Sequence, residues 1–555
     1  MLMTLLLILP VLFALACGFA PARQARSVAL LGAMVTFAVS IFTLVGFSGS
    51  AGGPVYQLVE QRPWFPALKI GINLGADGPG LLMIVLTAFL TVAVVWYSYE
   101  KVTFREKEYY ALLLALDATV IGAFSALDLV LFYIFFEACL VPAYFLIGIW
   151  GGRDRVRAAT KFFVYTVVGS LVMLLSIIAL YIHAGTFDIT EIQDVLTRKP
   201  LPPEMGLFIF LGFAVAFAVK TGLFPFHTWL PDAYAEAPAA VTVLLSGAMA
   251  KLGTFGFYRF GVLLLPDAAH TAAPLMLTLG VLSILFGGLV AAMQRDMRRV
   301  LAYSSISHLG FVVVGLFAGT KPGISGAVLQ MVNHGITSGM LFLIAGMIYA
   351  RIGSTHLRAL GGLWEQTPLL GRLLLIATLS SVGLPLTNSF VGEFLILLGA
   401  YQNYPFFAAV ATTGVIWSAI YMLVLFRKAM YGAPVRPAVR RMLDLTTNEI
   451  SLLGAFTVLI FLLGIQPRIL LHSADASVDA AVAGVTEAVE RASRPPTLMQ
   501  RPRRRPPQTE PATAAPPATA APPATPSPTE STESTETTES TQPTQPTQPT
   551  EGRGP

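Results

Sequence analysis

A chain of 555 residues that is 55% hydrophobic and only 12% charged is too apolar for a soluble domain of ordinary composition. Its formal net charge of +5 reads as loop bias that orients membrane helices, not as a nucleic-acid surface. The two cysteines, Cys17 and Cys139, both lie in apolar segments and support neither a disulfide framework nor a metal site.

About 20 apolar residues cross the hydrocarbon. On that measure the sequence predicts an all-α polytopic membrane protein of about fourteen spans, near 2–20, 27–48, 79–99, 109–126, 128–150, 158–183, 206–224, 240–264, 274–293, 299–318, 324–350, 370–386, 405–426 and 449–471. The first segment lacks a basic start and another span follows at once, so it reads as a retained helix and not as a signal peptide. Basic residues gather in alternate loops: Arg23 and Arg26, then Lys101, Arg105 and Lys107, then Arg153 to Lys161. The pattern continues at Arg295 to Arg299, Arg351 to Arg372, and Arg427 to Arg441. The positive-inside rule places those loops in the cytoplasm and both termini outside it.

Span seven is interrupted by Gly222 and Pro225, and span twelve by Gly383 and Pro385. Proline lacks an N–H and its ring clashes with the carbonyl four residues back. Discontinuous helices are therefore expected at 206–236 and 370–400. Paired interruptions in corresponding halves point to a transport site between inverted repeats. The chain divides accordingly into helices one to three (1–108), a first five-helix repeat (109–264), an inverted second repeat (265–431), a final span (432–472) and an extension (473–555). Lys220 and Glu393 are expected at related positions beside the two breaks, and the span of Glu137 is expected to match that of His308. In the extension, SADASVDAAVAGVTEAVERASRP reads as a short amphipathic helix before a Pro/Thr-rich disordered tail.

Five ionisable groups at membrane depth read as one set: Glu137, Lys220, Lys251, His308 and Glu393. A charge at mid-membrane depth costs about 2.5–3.5 kcal/mol on insertion scales, so such residues read as functional by default. Glu137 facing Lys220 forms an adjustable ion pair in this reading, with Lys251 and His308 as relays and Glu393 at the far end. The alternative is a set of buried pairs that fix helix register, for which desolvation offsets much of the Coulombic gain. His334 reads equally as a relay or as a helix-packing residue. His227 and Asp232 read as a proton-uptake point or, by preference, as fasteners of the half-helix. Asp117 has no assignable partner. The chain carries no Walker loop, no GxGxxG after a strand, no cysteine cluster and no paired haem histidines. No cofactor or metal is therefore expected on it.

The runs FYIFFEACLVPAYFLIGIWGG, AFAVKTGLFPFHTWLPDAYAEAPAAVTVLLSGAMAK, RVLAYSSISHLGF, QMVNHGITSGMLFL and GLPLTNSFVGEFLIL resemble the antiporter-like membrane subunits of respiratory complex I (NADH-quinone oxidoreductase), and within them the chain M type, counterpart of mitochondrial subunit 4. The resemblance covers nearly the whole chain to about residue 472. It implies a fourteen-helix fold with essential ionisable residues at Glu137, Lys220, Lys251 and Glu393. Glutamate on the second broken helix, where related subunits and antiporters carry lysine, favours the chain M type. The resemblance also implies FMN, iron–sulfur clusters and quinone on other subunits, neighbouring antiporter-like subunits as partners, and indirect coupling to a hydrophilic arm. The function expected is proton translocation driven by electron transfer from NADH to quinone. An Mrp-type cation/proton antiporter subunit and a non-conducting scaffold are the alternatives.

Overall fold

The computed structural model describes residues 1–50, 52–434 and 436–493. Thirteen of the described helices are long and apolar enough to cross a membrane, from Leu2–Phe19 to Thr447–Ile465. The remaining predicted span is present as two pieces, Pro368–Val382 and Asn388–Asn403. Two helices form the centre: Ala239–Leu263 is 100% buried along its apolar window and Met297–Phe317 is 94% buried, against 22% for Leu2–Phe19. Large apolar side chains on the outer helices, Ile182 and Phe406 among them, stay exposed on the outside of the bundle. Strands were not expected, yet two short antiparallel ladders fold the loop after the second helix: Gln57–Glu60 with Leu74–Ala76, and Pro63–Phe65 with Ile70–Gly71.

Local chemistry sets the helix starts. Asp77, Asp128, Asp188 and Asp296 each accept backbone N–H bonds at an N-terminus, where four donors otherwise lack partners. Thr446 and Glu449 form a reciprocal capping box on the last span.

The inverted repeat is visible in these same devices. Asp128 caps one helix and bridges to Asp188; Asp296 caps another and bridges to His356. The helices Arg155–Ala184 and Lys321–Ile352 end on Gly185 and Gly353, at φ 73° in both. The three pairs share one sequence offset. The broken helices match as well: Gly222 sits at φ 78°, ψ 40° and Gly383 at φ 82°, ψ 43°. After each, the next N–H reaches back, Leu223 to Ala218 O at 2.9 Å and Leu384 to Leu379 O at 3.0 Å. Such left-handed closures satisfy the last carbonyls of a helix that stops inside the protein.

Register corrects one expectation. Counted from the two glycines, Lys220 corresponds to Ser381, and Glu393 to Asp232; Lys220 precedes its break and Glu393 follows its own. By the offset of the capping aspartates, Glu137 corresponds to Ser305 and His308 to Leu140. The repeats share their backbone devices and not their charges.

A second correction concerns the extension. Arg468–Ser493 is a single helix of 26 residues, so the boundary drawn at 472/473 falls inside it. Its buried positions Ala474, Ser477, Val478, Ala481, Val485 and Ala488 recur at helical spacing, as an amphipathic helix laid on the bundle requires. The Ser477 hydroxyl accepts from Gly78 N at 3.2 Å, and Arg491 pairs with Asp267 at 2.9 Å. The tail expected beyond it lies outside the described residues. At the face carrying the basic loops, Arg351 and Lys101 hold Glu449 through contacts of 3.1 and 3.3 Å and fasten the last span.

Candidate functional site

The first break ends the helix Pro203–Thr221 one residue after Lys220, which is 1% exposed. Its Nζ donates to Phe136 O at 3.1 Å and to Cys139 Sγ at 3.3 Å, and lies 4.3 Å from the Phe136 ring centre. The partner helix is interrupted at Cys139, three residues ahead of Pro142, and that interruption brings the two segments together. Glu137 was expected to pair with Lys220. It does not: Glu137 is half-buried, its Oε1 is buried without a hydrogen bond, and the lysine binds the neighbouring carbonyl instead. Glu137 is thus a flanking charge beside Lys220.

Helix Pro203–Thr221 abuts the helix of Lys251 at Gly253, where an added Cβ would come within 2.6 Å of Phe217 O. Lys251 is 0% exposed and sits between two widened π turns, Leu245–Met249 and Phe257–Leu263. Such turns are rare and frequent at functional sites, because they turn carbonyls and side chains out of the regular ladder. The Lys251 Nζ donates to Ser246 O at 2.5 Å and meets His334 Nδ1 at 2.6 Å.

From His334 the polar line continues into the second repeat. The His334 and His308 rings lie 5.7 Å apart, centre to centre. His308 Nδ1 meets Glu393 Oε1 at 2.9 Å, and Gln330 Nε2 donates to the same oxygen at 3.0 Å. The other histidine nitrogen, Nε2, faces Ser381 Oγ at 3.3 Å and Tyr421 OH at 3.4 Å. A cavity of about 10 Å³ lies among His308, Gln330, His334, Ser338 and Ser381. That is close to the space of one water molecule, and its walls are polar enough to hold one. The unpartnered His334 Nε2 and Gln330 Oε1 belong to these wall residues.

The site therefore joins Lys251, His334, His308 and Glu393 in one buried line, with the cavity at its centre. A lysine and two imidazoles within hydrogen-bond reach or one water of each other can pass a proton, since each has a state that donates and a state that accepts. Lys220 and Glu137 stand apart. No hydrogen bond joins Lys220 to Lys251 among the described residues; helix packing does.

The supporting residues fall into place differently. Asp232 takes Lys161 at 2.8 Å and Arg299 at 3.0 Å, and Lys161 also donates to Thr228 O at 2.6 Å, so this cluster fastens the half-helix Leu230–Glu236. His227 packs among Phe224, Phe286 and Tyr303 with Nδ1 unpaired. Asp117 has a partner after all: Thr91 Oγ1 at 2.7 Å. Sequence reasoning passed over Gln330, Ser381 and Tyr421, uncharged residues with no local signal. It also passed over Arg259, whose charge inside an apolar span was visible, and its partner Asp77 at 2.9 Å. Among the described residues no group of three or more His, Cys, Asp or Glu is placed to hold a metal.

Comparison with known proteins matches residues 126–419 to the family described as NADH:quinone oxidoreductase/Mrp antiporter, TM. The chain is 41% identical over 464 residues to NADH-quinone oxidoreductase subunit M of Rhodobacter capsulatus, covering 81% of this chain and 89% of that one. Its fold is similar to a chain of respiratory complex I from Thermus thermophilus with bound NADH, at TM-score 0.78 and 33% identity, covering 87% of this chain and 100% of the other. A chain of the Mrp complex from Dietzia sp. DQ12-45-1b superposes at TM-score 0.76 and 22% identity, over 88% of this chain and 56% of that one, a likeness of fold. With its two broken helices and its buried lysines, the chain belongs to the NADH:quinone oxidoreductase/Mrp antiporter transmembrane family, in its subunit M branch.

Proposed function

We propose that this chain carries protons for a membrane-bound NADH:quinone oxidoreductase, along the line from Lys251 through His334 and His308 to Glu393. Electrons pass from NADH to quinone on other subunits, which hold the FMN and iron–sulfur clusters, and the chain itself does no redox chemistry. Neighbouring antiporter-like membrane subunits are its direct partners, and the hydrophilic arm acts on it through them. The observation that carries this reading is the buried polar line, hydrogen-bonded at Lys251–His334 and at His308–Glu393 and joined between the two histidines by a water-sized cavity.

Protonated Lys251 gives its proton to His334 Nδ1, and the wetted cavity passes it on to His308 and Glu393. Lys220 and Glu137 control loading: drawing the Glu137 carboxylate toward the lysine favours its ammonium form, and withdrawing it favours the amine. The basic loops face the cytoplasm and both termini lie outside.

The test is NADH-driven proton pumping in sealed membranes carrying Lys251→Ala or Lys220→Ala, with assembly checked on a native gel. Pumping should fall to less than roughly a tenth of wild type in an intact complex, as removal of a proton-transfer group does. An assembled Lys251→Ala complex that pumps normally would leave the scaffold reading. Between the oxidoreductase and the Mrp-type antiporter, the 89% coverage of the subunit M relative favours the first.

A further inference from the structure

A cavity of about 390 Å³ lies at the face opposite the basic loops, away from the polar line. Span ends supply most of its lining. Val262 stands at the end of Ala239–Leu263, Leu316 to Gly319 at the end of Met297–Phe317, and Ala269, His270 and Ala273 near the start of Pro266–Met293. Asn403 and Tyr404 join Asn388–Asn403 to Pro405–Met430. Val485, Thr486 and Val489 of the C-terminal helix form the remaining wall, so this helix crosses the cavity as a strap. Lys321 pairs with Asp479 before those wall residues, and Arg491 pairs with Asp267 after them, at 2.9 Å. Gly319, at φ 67°, gives the strap its seat: an added Cβ would come 2.9 Å from Val485 Cγ1.

The floor is apolar and the rim is not. Val262, Ala269, Ala273, Leu316, Phe317 and Val485 are buried, whereas Asn403 and Thr486 are exposed and His270 and Tyr404 half-buried. Packed interiors keep few voids larger than a water molecule, because lining atoms lose their contacts across a gap. Apolar walls give water no partners. The volume falls within the ~300–1,000 Å³ of small-molecule sites, which set a few polar groups around apolar walls. Leu275 and Phe406, close in sequence to the lining, expose apolar side chains on the outside of the bundle, as does Val489 at the rim. An apolar chain from the bilayer therefore has an apolar approach. Charge selects its head. Among the described residues Asp267, Glu487 and Glu490 stand with one cation, Arg491, which pairs with the first two. Excess negative charge there repels an anionic head and attracts an ammonium.

We propose that this cavity binds a zwitterionic phospholipid with a primary ammonium head, of the phosphatidylethanolamine class, from the leaflet opposite the basic loops. One acyl chain fills the floor between Val262, Ala273 and Val485, beneath the C-terminal helix. At the rim the phosphate accepts from His270 and from the Tyr404 hydroxyl, and the ammonium donates to the carboxylates of Asp267, Glu487 and Glu490. The lipid supplies the packing that small residues leave out beneath the strap. The site is independent of the proton-carrying line from Lys251 to Glu393.

The experiment takes the assembled complex, washed in detergent to strip bound lipid, into phosphatidylglycerol vesicles carrying a trace of phosphatidylethanolamine with a diazirine at the end of one acyl chain. After irradiation, mass spectrometry locates the label. It should concentrate on peptides holding Val262 to Ala273, Leu316 to Gly319 and Val485 to Val489. The same diazirine chain on phosphatidylglycerol should label them several-fold less. Ala273→Phe, which fills the floor, should cut cavity labelling several-fold and leave labelling of the exposed face around Ile182 at wild type. Ala269→Leu fills the same space with a smaller side chain, for use if the first variant fails to assemble on a native gel. No cavity label in the wild type, or undiminished label in an assembled filled variant, would overturn the lipid site. Equal labelling by the two heads would overturn the ammonium assignment. Stronger cavity labelling by a diazirine-tailed quinone than by either phospholipid would overturn the phospholipid as occupant. No readout here uses NADH, so failure of the proton-carrying reading would show only in the pumping assay.

Discussion

At Glu393 one carboxylate oxygen serves both His308 and Gln330, so charge and geometry are separable there. Glu393→Gln keeps an acceptor oxygen and nearly the same volume but cannot exchange a proton. NADH-driven pumping should drop to a small fraction of wild type while the native-gel band is retained. Asp117 makes the opposite case. One of its oxygens accepts from Thr91 and the other is buried without a partner, and neither touches the Lys251–Glu393 line. Thr91→Val, which keeps the shape of the side chain, should orphan the carboxyl and cost about 1–3 kcal/mol. Thermal melting of the purified complex would show the loss, and pumping per assembled complex should not change. Single residues of this kind were legible in the sequence as charges out of place. Their partners were not, because Gln330 and Thr91 carry no charge to betray them.

The two broken helices differ in what their glycines touch. Both have φ near 80°, where a side chain costs about 1–2 kcal/mol. At Gly222 an added Cβ would strike the Leu230 side chain, whereas at Gly383 it would come 3.1 Å from Glu393 Oε2. Gly383→Ala should therefore impair pumping beyond its effect on stability, and Gly222→Ala should act mainly through stability. Comparing proton-to-electron ratios at equal assembly separates the two. The breaks themselves were readable, since glycine and proline act locally on the backbone. The pairing of Lys220 with Glu393 across the repeats was misread: counted from Gly222 and Gly383, one charge lies before its break and the other after, an order the sequence itself displays. The interruption at Cys139, which gives Lys220 the Phe136 carbonyl in place of Glu137, also escaped notice.

At the scale of the whole molecule, the line of charge works only if fourteen crossings hold their places. Glu449 fastens the last span to Arg351 and Lys101, residues more than ninety positions away. Glu449→Ala leaves an arginine in a half-buried setting and should cost about 3 kcal/mol, seen as less assembled complex on a native gel with normal turnover in what remains. The helix Arg468–Ser493 likewise ties the third span to the ninth through Ser477 and Arg491. It was anticipated as short and was assigned to a tail. Its buried face is mostly small residues, Ala and Ser, with only Leu470, Val478 and Val485 larger, and so weak a stripe does not announce a packed helix.

By itself the amino-acid sequence determined that the chain is a polytopic membrane protein, where its spans lie, where two of them break, and which ionisable groups lie at depth. These follow from local quantities: apolar length, backbone freedom, and the cost of a charge away from water. Only the tertiary structure decided which of those groups meet. Lys251 reaches His334, His308 reaches Glu393, and Arg259 reaches Asp77 across more than eighty positions of chain. Such contacts depend on how helices rotate and stack, and a pattern confined to one helix carries no record of its neighbour.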